Sequence, residues 1–152
     1  MMMQKREQQL ATLDRLAGER VRQAVTELGH SRGETARQAG RLQELEQYLD
    51  EYRASAAAEG RAASPVLLAN QRAFMARLQQ AVEMQTQVVD AARARESEAQ
   101  GRWHGQRQDA RRVETLLNRA HDAARIRRMG LEQKMADDQA VQRFGQPALV
   151  GG

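Results

Sequence analysis

One interruption governs what this chain can fold into. From Gln4 to Phe144 the apolar residues keep a helical spacing, and Ser64–Pro65 is the one place that breaks it. Before the break, Val21, Leu28, Thr35, Leu42 and Leu49 recur every seven residues. A second line, Leu10, Ala17, Ala24, Ser31, Gln38, Leu45 and Tyr52, runs three residues behind it. After the break, Met75, Val82, Val89, Glu96, Trp103, Ala110, Leu117, Ala124 and Leu131 repeat in sevens. Their companions are Leu78, Gln85, Ala92, Ala99, Gln106, Val113 and Ala120. Alternating spacings of three and four place a narrow apolar seam on each helix and impose a left-handed supercoil. Leu13 and Leu16 stand off that register.

The break itself reads as a turn between helices. Gly60 suits a helix C-terminus, Ser64 suits an N-cap, and Pro65 suits the first helical position, where its missing N–H costs nothing. A link this short places the two helices antiparallel. The sequence therefore predicts an all-α fold, a long two-helix antiparallel coiled-coil hairpin. Its helices cover 4–59 and 65–141, with a turn at 60–64. Residues 1–144 form a single domain and 145–152 a disordered tail. The second helix exceeds seventy residues, roughly 100 Å at 1.5 Å per residue. Pairing about residue 61 sets Tyr48 opposite Phe74, Leu42 near Ala81 and Val21 near Trp103. The first helix then ends opposite about residue 118. A stretch from Ala120 to about Ala140 is left unpaired, with Met129, Leu131 and Met135 uncovered.

Composition agrees with a seam rather than a broad core. Aromatic residues are 3% of the chain, and much of its 41% apolar content is alanine. Two Phe, one Trp and two Tyr cannot fill a globular interior, but they can stud a two-helix seam. The chain has no cysteine, so it forms neither a disulfide nor a thiolate metal site. No stretch approaches the ~20 apolar residues of a membrane span, and the polar run after the initial methionines is unlike a secretory leader. His30, His104 and His121 lack the spacing that puts two ligands on one helix face, so no metal is expected. No phosphate-binding loop or nucleophile–base pair is present. The chain reads as a non-enzyme without a cofactor. Gly29, Gly33 and Gly40 mark the softest part of the first helix, at about 1 kcal/mol each against alanine. Gly29/Gly33 and Gly101/Gly105 match a membrane-helix packing spacing that carries little meaning in polar helices.

Two surfaces stand out. Tyr48, Tyr52, Phe74 and Leu78 come together beside the turn; they either lock the hairpin end or present a binding patch, for which exposed aromatics are well suited. The charge is also uneven. Residues 1–60 carry nine basic and ten acidic side chains, whereas residues 61–152 carry fifteen and ten. The excess lies between Arg102 and Arg128. Its arginines are spread over several helix faces without a reading motif, so a solvated basic helix is favoured over a nucleic-acid footprint. No nucleic acid is expected as a partner.

The segment Tyr48-Leu-Asp-Glu-Tyr52-Arg53 is followed by Asn70-Gln-Arg-Ala-Phe74-Met-Ala-Arg-Leu78-Gln-Gln-Ala81-Val-Glu-Met-Gln85. Trp103 and Glu132-Gln-Lys134-Met-Ala-Asp137-Asp138-Gln-Ala-Val-Gln-Arg143 come later. In order, spacing and length these segments resemble the flagellar FliJ family of the type III export apparatus, over nearly the whole chain, with the first forty residues carrying little of the resemblance. The resemblance implies a stalk-like antiparallel coiled coil at the cytoplasmic face of the inner membrane, associated with the membrane only through partners. Those partners are the export ATPase and its regulator, the cytoplasmic domain of the export gate, and chaperones of export substrates. It further implies a gate-contacting surface at Arg41, Leu45, Tyr48, Tyr52, Phe74, Leu78, Ala81 and Gln85. Arg41 and Gln85 depart in type from some relatives. An ATPase contact would fall at the far end, where Arg111, Arg112, Arg119, Arg125, Arg127 and Arg128 are the candidates. The alternatives are the equivalent stalk of a virulence type III secretion system, or a basic coiled-coil tether or nucleic-acid binder.

Overall fold

The computed structural model describes residues 2–59 and 64–145. Those residues form two helices, α1 (Met2–Glu59) and α2 (Pro65–Gly145), packed against each other with no strand among them. The turn residues 60–63, with the proposed helix-ending Gly60, and the tail 146–152 lie outside the described residues. At the start of α2 the expected cap is formed. The Leu67 N–H donates to Ser64 Oγ at 3.2 Å, and the Leu68 N–H donates to the Ser64 carbonyl at 3.0 Å. Ser64 thus satisfies a donor that the first helical turn leaves unpaired, and Pro65 sits where no donor is needed.

Both helices suit their sequence locally. Alanine, leucine, glutamine, glutamate and arginine lose little on entering a helix. The threonines bond back within their own helix: Thr12, Thr26, Thr35, Thr86 and Thr115 each donate to the carbonyl four residues earlier. Ion pairs one turn apart, such as Arg15–Glu19 and Arg37–Glu34, decorate the outside and add only a few tenths of a kcal/mol each.

The chain divides into two compact units, Arg22–Gly105 and Met1–Val21 with Gln106–Gly152. In the first of these the helices run antiparallel, since Tyr48 meets Phe74, Gln38 meets Gln85, and Glu27 meets Arg102. Its core is thin and made of small residues: Ala24, Leu28, Leu49, Leu78, Val89, Ala92 and Ala99 are buried. In the other unit Ala17 is the buried residue, flanked by half-buried Leu10, Ala110, Val113 and Leu117. Every seam position named from the repeat is buried or half-buried, apart from Leu131. Leu13 and Leu16, off the register, are exposed.

The pairing centre differs from the expected one. Tyr48 and Phe74 are equidistant from residue 61, but Arg32 and Glu96, which form an ion pair at 3.7 Å, are equidistant from Ser64. Buried Leu49 and Leu78 are likewise symmetric about the 63–64 bond, as are Leu28 and Ala99. Interlocking the two seam lines of α1 with the opposite lines of α2 requires this centre; the turn's composition does not specify it. The shift has a visible result at the far end of α2. Ala120 and Ala124 are half-buried, and every described side chain from Arg125 to Phe144 is exposed. The overhang therefore starts after Ala124 rather than at Ala120.

Candidate functional site

The aromatic cluster is built by α1 and α2 within the unit Arg22–Gly105. Phe74 projects from the third turn of α2 between two tyrosines one turn apart on α1. Its ring lies 4.7 Å from that of Tyr52, tilted by 59°, and 6.4 Å from that of Tyr48 at 82°. Both arrangements favour ring edges against ring faces, each worth about 0.5–1.5 kcal/mol beyond the area buried. Tyr52 and Phe74 are half-buried, while Tyr48 keeps 50% of its surface open. One cluster thus locks the hairpin and presents an aromatic face.

The remaining residues of the expected gate-contacting surface divide by depth. Arg41 is exposed, Leu45 is half-buried on the seam line, and Ala81 is half-buried beside it. Leu78 is only 8% exposed, as its place on the seam line dictates. Gln85 is turned inward: its Nε2 donates to the Gln38 carbonyl at 3.0 Å and to Gln38 Oε1 at 2.8 Å. Gln38 in turn donates to Glu34 Oε1 at 2.8 Å, and Arg37 donates twice to Glu34 Oε2. The hydrogen bond from Gln38, then that from Arg37, hold the Glu34 carboxyl below its usual value. Any stability this contributes is present above the unfolded-state pKa and fades as pH falls through the folded one. The seam therefore contains one hydrogen-bonded polar layer, with Gln85 at its centre.

The start of α2 carries three further apolar residues in a row. Val66 and Leu67 are exposed, while Leu68 turns inward to line a cleft with Arg53, Ala56, Ala57, Gln71, Arg72 and Met75. The run Val66-Leu67-Leu68 was readable, because only one of three consecutive helical residues can face a single partner helix.

The arginines of α2 belong mainly to the other unit. Arg111, Arg112, Arg119, Arg125, Arg127 and Arg128 are all exposed. Arg112 pairs with Asp109 and Arg125 with Asp122, each one turn away on the same helix. Arg119 and Arg127 border a cleft of about 330 Å3 between the helices, with Met3, Arg6, Glu7, Leu10, Leu116, Ala120 and Ala123. Its floor is apolar, and three of its edge residues are arginines. Among the described residues no group of His, Asp or Glu is arranged to hold a metal ion, and no helix is long and apolar enough to cross a membrane.

Gly29, Gly33, Gly40, Gly101 and Gly105 are not sites of close packing. A Cβ on Gly29, Gly40, Gly101 or Gly105 would meet nothing within 4 Å, and on Gly33 it would touch only the Arg37 guanidinium at 3.5 Å. The membrane-type glycine spacing is therefore not used for close approach.

These features, a capped hairpin with an aromatic cluster and a long basic second helix, fit one family along almost the full sequence. The sequence model described as "Flagellar FliJ protein" matches residues 5–149. The chain belongs to the flagellar FliJ family. The match takes in residues 5–40, where the recognisable segments are sparse. Neither the curated proteins nor the solved structures provide a match. As a FliJ-family protein the chain is a component of the flagellar export apparatus.

Proposed function

We propose that this protein is a non-enzymatic stalk and adaptor of flagellar protein export, acting in the cytoplasm at the inner face of the cell membrane through its partners. The family match over residues 5–149 carries this reading. The half-open Tyr48 ring, seated on Phe74, supports the choice of the first contact surface. That surface engages the cytoplasmic domain of the export gate. Arg41, Leu45, Tyr48, Tyr52, Phe74 and Ala81 provide it, and Leu78 and Gln85 hold its shape from the seam. The second contact is with the export ATPase and its regulator, through Arg111, Arg112, Arg119, Arg125, Arg127 and Arg128. Chaperones of export substrates are handed on by the same protein. It works by being held, so its contribution to export is to bring the hydrolysing ring and the gate into one assembly needed for flagellum formation and motility.

The test is a pull-down with the gate's cytoplasmic domain, paired with a motility assay, for the double change Tyr48→Ala and Phe74→Ala. Both gate binding and motility should be lost while far-UV circular dichroism still reports a helical protein. Retention of both by a helical variant would remove the cluster from the gate contact.

A further inference from the structure

The overhang of α2 has a charge order that fits a second copy of itself. Beyond Ala124 no described side chain is even half-buried, and the exposed apolar residues there include Ile126, Met129, Leu131 (62% exposed), Met135, Val141 and Phe144 (85% exposed). Bare apolar surface alone does not name a partner. The charges do: Arg125, Arg127 and Arg128 stand at the start of the overhang, Glu132 and Lys134 follow, Asp137 and Asp138 lie in its second half, and Arg143 stands in the last turn. A helix that is strongly basic in its first half and acidic at Asp137 and Asp138 is complementary there to an antiparallel copy.

The seam register gives that pairing definite positions. From the last half-buried positions, Ala124 and Ala120, its two lines continue beyond the end of α1 as Leu131 and Asp138, and as Arg127, Lys134 and Val141. Matching opposite lines in an antiparallel pair sets Ala124 against Val141, Arg127 against Asp138, and Leu131 against Lys134. The lysine stem can lie along the leucine while its ammonium reaches toward Glu132. Each copy supplies both members of every pair, so the contact is closed and two-fold symmetric. The same alignment carries the apolar end of one overhang, Val141 and Phe144, toward the other copy's arginine-bordered cleft. That cleft's apolar floor includes Leu116, Ala120 and Ala123.

We propose that the α2 overhang is a homodimerisation element, pairing antiparallel with the overhang of a second copy through two Arg127–Asp138 contacts. This pairing covers Arg127 and Arg128, so it competes with any other partner that uses them. Sedimentation equilibrium of the full chain over a wide concentration range, at low and high salt, provides the test. The wild type should show a monomer–dimer equilibrium that weakens with salt, as expected of contacts between exposed charges. Arg127→Asp and Asp138→Arg, each alone, place like charges together at both symmetric contacts and should weaken dimerisation at least about tenfold. An equimolar mixture of the two variants restores opposite charges at both contacts and should form a heterodimer close to wild-type affinity. Both positions are exposed, so the variants should remain helical, which circular dichroism checks. A wild-type monomer at every concentration would overturn the proposal and leave the overhang to a different protein. Dimerisation unaffected by either single change, or a mixture no tighter than the single variants, would overturn it as well.

Discussion

The aromatic cluster and the overhang of α2 are both helical and rich in apolar side chains, yet they use them in opposite ways. At the cluster, Tyr48, Tyr52 and Phe74 find one another across two helices, and Leu78, one turn on from Phe74, is buried. In the overhang, Leu131 and Met135 (63% exposed) have no facing helix among the described residues, because α1 does not reach them. The difference lies in what faces each residue rather than in composition. A seam residue contributes to folding only where a second helix closes over it. Where none does, the same residue type is available to a partner at almost no cost to the fold.

That contrast can be broken or sharpened by substitution. Phe74→Ala removes the ring that both tyrosines contact and should destabilise the protein by about 2–3 kcal/mol, measured by urea unfolding. Gln85→Ala leaves Gln38 without its cross-helix donor and should cost about 1–2 kcal/mol. Replacing both glutamines of that layer with leucine should cost less than Gln85→Ala, since the cross-helix donor and its side-chain acceptor go together and Glu34, which loses the bond from Gln38, keeps its pair with Arg37. Ser64→Ala deletes the cap on Leu67 and should cost about 1 kcal/mol. Gly40→Ala should stabilise by up to about 1 kcal/mol, because the added methyl meets open space in a helix interior. Met135→Ala in the overhang should change stability by less than about 0.5 kcal/mol. If Met135→Ala matched the cost of Phe74→Ala, the overhang would be packed and the contrast would fail.

Much of this was legible in the sequence, for a physical reason. Heptad spacing is a one-dimensional record of which side chains face a partner helix, so the seam from Leu10 to Tyr52 and from Met75 to Ala124 could be read directly. The cap at Ser64–Pro65 was equally local. Register was less legible. Antiparallel helices slide relative to each other until their seam lines interlock, and the turn's composition does not say where; the centre accordingly lies near Ser64 rather than residue 61. The depth of the candidate surface could have been read better. Leu78 and Gln85 stand on the seam line, and that position alone foretold their inward turn. The resemblance grouped them with Tyr48 because neighbours along one helix face share a surface in sequence terms, whatever their depth. Val66 and Leu67 stand outside both seam lines, so the heptad pattern carries no signal for their exposed apolar surface.

The most direct test of the functional account changes the exposed ring and leaves the packed one in place. Tyr48→Ala alone removes a half-open side chain and keeps the Tyr52–Phe74 contact, so the hairpin should remain folded. Isothermal titration of the gate's cytoplasmic domain with this variant should show affinity reduced by roughly tenfold or more, as for loss of an aromatic anchor, with Met135→Ala binding as the wild type does. Wild-type affinity in a folded Tyr48→Ala protein would contradict the account.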